Sequence, residues 1–263
     1  MQAKLWVIKI GGNVIDDAEG LKRFLERFAN LRGYKILVHG GGKIATRMAA
    51  DLGIEATLVE GRRITDEAML RIVTMVYGGL TNKQVVAELQ SQGCNAIGLS
   101  GADGNAIRTV KRPVAAVDYG FVGDILPSSV DTDTIDTFLN AGLTPVFSAI
   151  THDGQGQLLN TNADTIAAAL AVALSARYTT SLVYCFEKRG VLRDINDEDS
   201  VIAEIRAGEF EQLKTSGIIA DGMVPKLHNA FEAIGKGVDE VCIGRADDLP
   251  LLRDHQFGTR MVR

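Results

Sequence analysis

The chain alternates short apolar runs with longer stretches in which apolar residues recur at helical spacing. The first run, residues 5–8, ends at Lys9 and the Gly11-Gly12 pair, as expected for a buried strand that breaks into a glycine loop. Apolar residues then recur at helical spacing over residues 18–32, which predicts an amphipathic helix. This order of strand and helix continues along the chain.

Strands are predicted where an apolar run is bounded by turn-forming residues, at residues 5–8, 34–38, 96–99, 106–110, 144–149, 182–186, 240–243 and 258–262. Helices are predicted where apolar residues follow a helical period, at residues 18–32, 43–52, 66–91, 131–140, 162–176 and 222–236. The Gly78-Gly79 pair weakens the longest of these, which is one helix or two abutting ones. The alternation predicts an α/β fold, an open three-layer αβα sandwich with a mainly parallel sheet.

The domain organisation is predicted to be simple. No Pro- or Ser-rich linker divides the 263 residues, so we predict a single domain spanning residues 1–263. A His-Asp-Gly-Gln-Gly run at residues 152–156 interrupts the pattern, and we predict a soft boundary between two lobes near residues 151–156.

Composition narrows the function classes. Hydrophobic residues make up 46% and charged residues 23%, with a net charge of −5, which is ordinary for a globular protein. Lys and Arg form no basic block of the kind that binds nucleic acid. The longest apolar stretch, residues 166–174, is too short to span a membrane, and residues 1–12 lack a signal-peptide pattern. We therefore expect a cytoplasmic protein with neither a nucleic-acid nor a membrane partner.

Cysteine and histidine usage gives no sign of a metal site. Cys94, Cys185 and Cys242 are odd in number and lie in apolar surroundings, so we predict reduced core residues. The histidines lack the spacing of zinc ligands. No protein ligand to a metal is assigned.

Two glycine segments follow predicted strands. Gly40-Gly41-Gly42 precedes the predicted helix at Lys43, and Gly11-Gly12 lies beside Lys9. Such glycines either make tight turns or let backbone N–H groups and a helix N-terminus approach an anion. Three consecutive glycines favour the anion site. Neither the phosphate-loop nor the dinucleotide-binding consensus is present.

Two lysines occupy unusual positions for a cation. Lys9 follows four apolar residues, so it is either a buried lysine that requires an anion or a strand-end lysine that reaches solvent. Lys226 lies near a predicted helix start, where a cation opposes the helix dipole. A bound phosphate would explain that position, as would simple surface exposure.

Polar segments precede two other predicted helices. In residues 160–164, Asn162 can cap the following helix and Asp164 suits its dipole, although capping requires only one of these groups. The Arg62-Arg63 pair lies in a loop before a helix predicted to be capped by Thr65 or Asp66. These arginines are either a solvated face or a clamp for a carboxylate.

Taken in order, these segments resemble the amino-acid kinase superfamily and, within it, the N-acetylglutamate kinases. The segments are Val-Ile-Lys-Ile-Gly-Gly, Leu-Val-His-Gly-Gly-Gly, Gly-Arg-Arg-Ile-Thr, Asn-Thr-Asn-Ala-Asp and Asp-Gly-Met-Val-Pro-Lys. The resemblance extends from Lys9 to Arg260. Aspartokinases, which carry regulatory domains, and uridylate kinases, which carry a Ser-Gly-Glu loop, fit less well.

The resemblance implies transfer of the ATP γ-phosphate to the γ-carboxylate of N-acetyl-L-glutamate, the second step of arginine biosynthesis. An N-terminal lobe would bind the acyl-glutamate, and a C-terminal lobe would bind ATP with its Mg²⁺. Two alternatives stay open: N-succinyl-L-glutamate as the substrate, or a ligand-binding protein of the same fold without catalysis.

The first strand begins by about residue 4, without the helix that precedes it in arginine-inhibited relatives. We therefore expect a homodimer with little arginine inhibition, with residues 66–91 at its interface.

The resemblance also implies roles for individual residues. The catalytic residues would be Lys9 and Lys226 on the transferred phosphoryl group and Asp164 holding both lysines. The substrate-binding residues would be Gly41, Gly42, Arg63 and Asn160, with Arg62 as a further candidate. The nucleotide-binding residues would be Gly11, Gly12, Glu187, Gly190, Asp221 and Gly222.

The chain departs from the family pattern at two places. Residues 185–191 replace the usual Thr-Asp-Val-x-Gly-Val segment; Glu187 keeps a carboxylate there, while Lys188 and Arg189 add charge. This predicts altered nucleotide contacts. Arg62 stands where relatives commonly have an aliphatic residue, and a succinyl carboxylate is a group with which it could pair.

Overall fold

The computed structural model describes residues 2–59, 61–194, 196–215, 218 and 223–263. The chain divides into two compact units: unit 1 is Met1–Lys35 with Leu170–Arg263, and unit 2 is Ile36–Ala169. The division thus falls elsewhere than residues 151–156, which lie within unit 2 in a β-hairpin. The prediction of one domain with an acyl-glutamate lobe and an ATP lobe stays a prediction.

The strands, in chain order, are β1 Lys4–Ile10, β2 Tyr34–His39, β3 Leu58–Val59, β4 Arg62–Arg63, β5 Ala96–Leu99, β6 Val110–Lys111, β7 Gly123–Asp124, β8 Thr144–Ser148, β9 Ile150–His152, β10 Leu158–Asn160, β11 Thr179–Phe186, β12 Glu204–Arg206, β13 Glu240–Arg245 and β14 Thr259–Val262. The α-helices are α1 Gly12–Asp16, α2 Ala18–Ala29, α3 Gly42–Asp51, α4 Glu67–Val73, α5 Asn82–Ser91, α6 Thr132–Asn140, α7 Ala163–Leu174, α8 Ala207–Thr215 and α9 Val224–Gly235. A π-helix at Thr74–Thr81 and 3₁₀ helices at Asp103–Asn105 and Ala246–Asp254 complete the description.

Each unit contains neighbouring strands that pair mainly in parallel. In unit 1 the order is β12-β14-β13-β11-β1, with only the β13–β14 pair antiparallel among these neighbours. In unit 2 the order is β2-β8-β5, with parallel neighbours. The predicted α/β fold with a mainly parallel sheet is confirmed. In each unit, the loops that follow the parallel strands leave from their carboxyl ends, where ligands bind in such folds.

The stretch predicted as one or two helices at residues 66–91 contains three helical segments. α4 and α5 flank the π-helix, and the Gly78-Gly79 pair lies inside that π-helix. Glycine has a low helix propensity, and π-helical turns, which are rare, occur mostly within longer α-helices. Asp66 is the N-cap, since its Oδ1 accepts from Met69 N at 2.8 Å.

The continuous strand predicted at residues 106–110 is wrong in extent. Ile107 and Arg108 form isolated bridges to Val130 and His152, and regular pairing begins only at Val110. Successive residues of this segment hydrogen-bond to different parts of the chain: Arg108 N donates to Ser129 O, and Thr109 N donates to His152 O. Apolar periodicity cannot distinguish such a crossing segment from a strand.

The prediction that the three cysteines are reduced core residues is confirmed. Cys94, Cys185 and Cys242 are buried and free, and burial raises the pKa of Cys242 to about 12. Across the described ranges, no helix has the length and hydropathy needed to cross a bilayer.

Glu240, at the start of β13, is a buried carboxylate held by an ion cluster in unit 1. It accepts from Lys4 Nζ at 3.1 Å and Arg260 Nε at 2.6 Å, and also from Ser181 Oγ. Burial alone raises the pKa of Glu240, but the hydrogen bonds from Ser181 and Arg260 and the charge of Lys4 lower it from 4.5 to about 2. Ionised Glu240 therefore stabilises the fold above about pH 4.5, and this stabilisation is lost as the pH falls towards 2.

We predict that Glu240→Gln lowers the free energy of unfolding at neutral pH by about 3 kcal/mol, the value that corresponds to this pKa difference. Urea unfolding of wild type and variant at neutral pH and at about pH 3 measures it. The difference should shrink at the lower pH, where wild-type Glu240 begins to lose its advantage. Glu232→Gln, which removes an exposed carboxylate paired with Lys236, is the matched control and should cost less than about 1 kcal/mol. A difference for Glu240→Gln that does not change with pH would contradict the prediction.

Candidate functional site

Unit 2 contains a cavity of about 430 Å³ at the carboxyl ends of its strands. Its walls come from the loop after β2, the β3–β4 and β6–β7 hairpins, the π-helix and the segment that joins β10 to α7. The lining residues are Gly40, Gly41, Gly42, Leu58, Gly61, Arg62, Arg63, Tyr77, Arg112, Val122, Gly123, Asp124, Ile125, Ala149, Asn160, Thr161, Asn162, Ala163 and Thr165.

The glycine loop between β2 and α3 forms one wall of the cavity. Gly41 has φ of 150°, and a Cβ on it would lie 2.9 Å from Tyr77 Cδ1, so this position requires glycine. Among the described residues, the N–H groups of Gly41 and Gly42 have no hydrogen-bond acceptor. Because Gly42 begins α3, both N–H groups lie at the positive end of a helix dipole. The arrangement can bind an anion through the backbone, and the anion site proposed at this loop stays a prediction.

Arg63 is buried beside the glycine loop. Its Nη2 donates to Gly42 O at 2.9 Å and to Thr46 Oγ1 at 2.8 Å, and its Nη1 contacts Met69 Sδ at 3.8 Å. These contacts fix the guanidinium against the first turn of α3. Burial raises the pKa of the Tyr77 phenol, and the charge and hydrogen bond of Arg63 partly offset that rise.

Arg62 differs from its neighbour because successive residues of a strand face opposite sides. In β4, Arg63 is buried whereas Arg62 is exposed, and both line the cavity. Glu60, a carboxylate two residues before Arg62 in the sequence, lies outside the described residues.

A third cavity arginine was not identified from the sequence. Arg112 donates from Nε to Asp124 Oδ1 at 3.0 Å and from Nη2 to the same oxygen at 2.5 Å, and its guanidinium lies 5.1 Å from the centre of the Tyr119 ring. The carboxylate of Asp124 raises the pKa of Arg112 by its hydrogen bonds. The cavity is lined by three arginines, Arg62, Arg63 and Arg112, and by one carboxylate, that of Asp124. This excess of positive charge favours an anionic ligand.

Asn160 ends β10 and lines the cavity. Its Nδ2 donates to Thr65 Oγ1 at 3.0 Å and its backbone N donates to Phe121 O at 2.9 Å. Asn162 caps α7, because its Oδ1 accepts from Asp164 N at 2.8 Å and Thr165 N at 3.1 Å. The predicted capping by Asn162 is therefore confirmed, and Asp164 lies in the first turn of α7.

Unit 1 carries the predicted lysines and the first glycine pair. Lys9 is half-buried near the end of β1, opposite Tyr184 of β11. Gly11 N donates to Cys185 O at 3.0 Å. A Cβ on Gly12 would meet nothing within 4 Å, so protein packing alone does not require glycine there.

Lys226 lies in the first turn of α9. Its side chain is exposed, with Nζ 4.6 Å from the centre of the Phe186 ring at the end of β11, a cation–π distance. Asp221 and Gly222, predicted to bind nucleotide, lie outside the described residues. The roles predicted for Lys9, Asp164 and Lys226 stay predictions.

The segment that departs from the family pattern follows β11. Glu187 is exposed. Lys188 and Arg189 pair with Glu198 at 3.7 Å and Asp199 at 2.5 Å, so their added charges have local partners. At Gly190, a Cβ would lie 2.8 Å from Thr259 Oγ1, so packing alone explains the glycine, and its role at a nucleotide stays a prediction.

The part of the chain that the structure describes holds no cluster of three or more His, Cys, Asp or Glu side chains suited to a metal ion. Mg²⁺ that accompanies a nucleotide is commonly held by phosphate oxygens and water with few protein ligands. The assignment of no protein ligand is therefore compatible with Mg²⁺ that arrives with ATP.

Comparison with known proteins relates these features to a family. A sequence model described as the Amino acid kinase family matches residues 4–245. The acetylglutamate kinase of Bacteroides thetaiotaomicron is 56% identical over 263 residues, covering 100% of both chains. The acetylglutamate kinase of Cytophaga hutchinsonii is 54% identical over 262 residues, covering 98% of each.

Solved structures share the fold at lower identity. N-acetylglutamate synthase from Neisseria gonorrhoeae, complexed with coenzyme A and N-acetyl-glutamate, matches with a TM-score of 0.81 at 22% identity, over 99% of this chain and 59% of that one. Carbamate kinase from Giardia lamblia bound to AMP-PNP matches with a TM-score of 0.67 at 14% identity, over 100% and 99%.

The family match starts at the first residue of β1 and ends at the last residue of β13. It therefore includes the glycine loops, the arginine pair and the segment around Asn160, whose order led to the resemblance. The resemblance is confirmed, and the chain belongs to the amino acid kinase family.

Proposed function

We propose that this kinase transfers the γ-phosphate of ATP to the γ-carboxylate of N-acetyl-L-glutamate, the second step of arginine biosynthesis. The observation that carries the proposal is the 56% identity, over the full chain, to an acetylglutamate kinase. The cation-lined cavity of unit 2 supports an anionic substrate independently. A homodimer, a cytoplasmic location and Mg²⁺ delivered with ATP remain predictions.

The chemistry explains why no histidine is needed as a base. A glutamate side chain has a pKa of about 4.3, so the γ-carboxylate is ionised and nucleophilic at neutral pH. The difficulty is electrostatic, because an anion must approach the polyanionic end of ATP. Backbone N–H groups, lysine ammonium groups and Mg²⁺ are the donors that stabilise such a transition state.

We assign the substrate contacts to unit 2. The N–H groups of Gly41 and Gly42 would hold the reacting γ-carboxylate, since they have no acceptor among the described residues. Arg63 and Asn160 would bind the α-carboxylate and its neighbourhood. Arg63 is suited to this because its contacts with Gly42 and Thr46 orient the guanidinium before any ligand arrives.

We assign the nucleotide and phosphoryl contacts to unit 1 and to the residues that the resemblance names. Lys9 and Lys226, both in unit 1, would stabilise the transferred phosphoryl group, and the role that the resemblance implies for Asp164, in unit 2, stays a prediction. Gly11, Gly12, Glu187, Gly190, Asp221 and Gly222 would contact the nucleotide.

A coupled assay of ADP release tests the proposed function. ADP should form only when ATP and N-acetyl-L-glutamate are both present, at a rate well above that with glutamate, aspartate or carbamate as the acceptor. A chain that binds ATP or N-acetylglutamate but releases no ADP would instead be a ligand-binding protein. Faster turnover of another acid would reassign the substrate.

We predict that Lys9→Ala and Lys226→Ala each lower kcat by about 10²- to 10³-fold, because their charge is needed most as the phosphoryl group moves. The KM for N-acetylglutamate should change much less. Lys22→Ala, which removes an exposed lysine of α2, is the control and should keep wild-type kinetics. Near-wild-type kcat in either variant would remove that lysine from the mechanism.

We predict that Arg63→Ala raises the KM for N-acetylglutamate by about 10- to 100-fold, as expected for a lost hydrogen bond to a charged group. Its effect on kcat should be smaller, because the α-carboxylate does not react. Arg71→Ala, which removes an exposed arginine of α4, is the matched control. If Arg63→Ala changes only the KM for ATP, the assignment of Arg63 is wrong.

One observation favours N-succinyl-L-glutamate as a second candidate substrate. Arg62 lines the cavity with an exposed side chain, and an acetyl methyl group offers this cation no partner. A succinyl group would bring a further carboxylate, which a guanidinium can bind through two hydrogen bonds.

Specificity constants for the two acyl-glutamates decide between these substrates. If Arg62 binds the acyl group, the succinyl compound should be preferred by about 1.5 to 3 kcal/mol. Arg62→Leu should then abolish that preference while leaving kcat/KM for N-acetylglutamate unchanged. An unchanged preference in Arg62→Leu would exclude this role for Arg62.

A further inference from the structure

His39 is a buried histidine that directly precedes the glycine loop and to which the proposed chemistry gives no role. It is the last residue of β2 and is 0% exposed. One ring nitrogen, Nδ1, lies 2.8 Å from Gly40 O, and the other, Nε2, lies 3.0 Å from Asn82 Nδ2. Both ring nitrogens therefore have partners, one of which belongs to the loop itself.

The partners of Asn82 determine which ring nitrogen carries the proton. Lys83 Nζ lies 3.1 Å from Asn82 Oδ1, and an ammonium group can only donate, so the amide oxygen faces Lys83. The amide nitrogen then donates one hydrogen to Val146 O at 2.9 Å and the other to His39 Nε2. Because Nε2 accepts, Nδ1 carries the proton and donates to Gly40 O.

His39 remains neutral under physiological conditions. Burial lowers the pKa of His39 to about 4, an effect that the hydrogen bond to Gly40 partly offsets and the charge of Lys83 reinforces. At neutral pH the ring therefore keeps one donor and one acceptor. A fixed tautomer of this kind provides a directed hydrogen bond to the loop.

The hydrogen bond at Gly40 O constrains the next peptide group. In a planar trans peptide, C=O and N–H point in opposite directions. A Gly40 carbonyl held by buried His39 therefore directs Gly41 N–H away from His39. On the other side of the loop, the Tyr77 ring occupies the space that a Cβ of Gly41 would need, so the loop is restrained from two sides.

We propose that His39 is a positioning residue that acts through Gly40 to direct the Gly41 N–H at the reacting carboxylate, with Asn82 as the group that orients the ring. The proposal rests on the proposed function, because it assigns Gly41 N–H to the γ-carboxylate. A buried histidine needs an acceptor for its ring N–H in any case, so the positioning role is decided by variants that keep or lose the bond to Gly40 O. The packing of Asn82 is also specific, since a Cβ on Gly98 would overlap its Oδ1.

Two conservative variants separate positioning from core stability. His39→Asn places an amide donor near the former Nδ1 and so can keep the bond to Gly40 O. His39→Gln places its amide near the former Nε2, where it meets Asn82 but not Gly40. We expect His39→Gln to lower kcat/KM for N-acetylglutamate by about 10- to 100-fold, the usual effect of a misplaced catalytic contact. The KM for ATP should stay near its wild-type value, and His39→Asn should retain activity within about threefold of wild type.

The matched control removes a buried hydroxyl from the far end of the strand paired with β2. Thr144 starts β8, where it accepts from Cys94 Sγ at 3.5 Å, whereas His39 pairs with Ser148 at the other end. Thr144→Val should lower the Tm without changing the KM for N-acetylglutamate. If the Asn and Gln variants of His39 lose activity equally, or the losses follow Tm alone, the positioning role is refuted.

Nuclear magnetic resonance gives a readout that does not depend on turnover. The histidine ¹⁵N spectrum should show His39 protonated at Nδ1. The amide signal of Gly41 should move further in His39→Gln than in His39→Asn, because both variants lose the ring but only the first also loses the bond to Gly40 O. The proposal is refuted if the His39 ring is protonated at Nε2. It is also refuted if the Gly41 amide signal has the same position in both variants as in wild type. If wild-type protein phosphorylates no acyl-glutamate, the proposed function fails, while these spectra still decide whether His39 orients the Gly41 N–H.

Discussion

Gly41 adopts a φ of 150° against the ring of Tyr77, and the substrate half of the proposed site depends on this backbone conformation. Any side chain at Gly41 would collide with Tyr77 Cδ1 at 2.9 Å. The loop can therefore expose two adjacent N–H groups at the start of α3 only because it is built from glycine. Arg63 supports the same turn through Gly42 O.

The charges that line the cavity of unit 2 suit an anionic substrate. Three arginines and one aspartate line the cavity, and the pairing of Arg112 with Asp124 leaves Arg62 and Arg63 as the cations available to a ligand. N-acetylglutamate carries two carboxylates, so its charge complements that of the cavity. In unit 1, by contrast, the charges that depart from the family pattern at Lys188 and Arg189 are balanced by Glu198 and Asp199. The departure therefore alters charge locally and does not create a large positive surface there.

Much of the fold could be predicted from the sequence, because buried parallel strands and amphipathic helices have distinct hydrophobic periods. The glycine loop and Arg63 were predicted because they lie in short motifs next to element ends. The crossing segment at residues 106–110 was not, since its pairing with Val130 and His152 depends on distant parts of the chain. Helix α1 was missed because it is only five residues long.

The candidate site was predicted less completely than the fold. Tyr77, Arg112 and Asp124 reach the cavity from the π-helix and the β6–β7 hairpin, and nothing in their local sequence marks them. The importance of His39 was likewise hidden, because it follows from the hydrogen bonds of Asn82, which lies far along the chain. Such groups are recognised only when tertiary contacts are known.

The central claim is that the backbone N–H groups of Gly41 and Gly42 hold the reacting carboxylate. Titrating ¹⁵N-labelled protein with N-acetyl-L-glutamate, and separately with the neutral-side-chain analogue N-acetyl-L-glutamine, tests it most directly. The amide signals of Gly41 and Gly42 should shift saturably with the glutamate compound and much less with the glutamine compound, because only a carboxylate interacts strongly with these donors. Saturable binding of N-acetyl-L-glutamate that leaves both glycine signals unmoved would contradict the account.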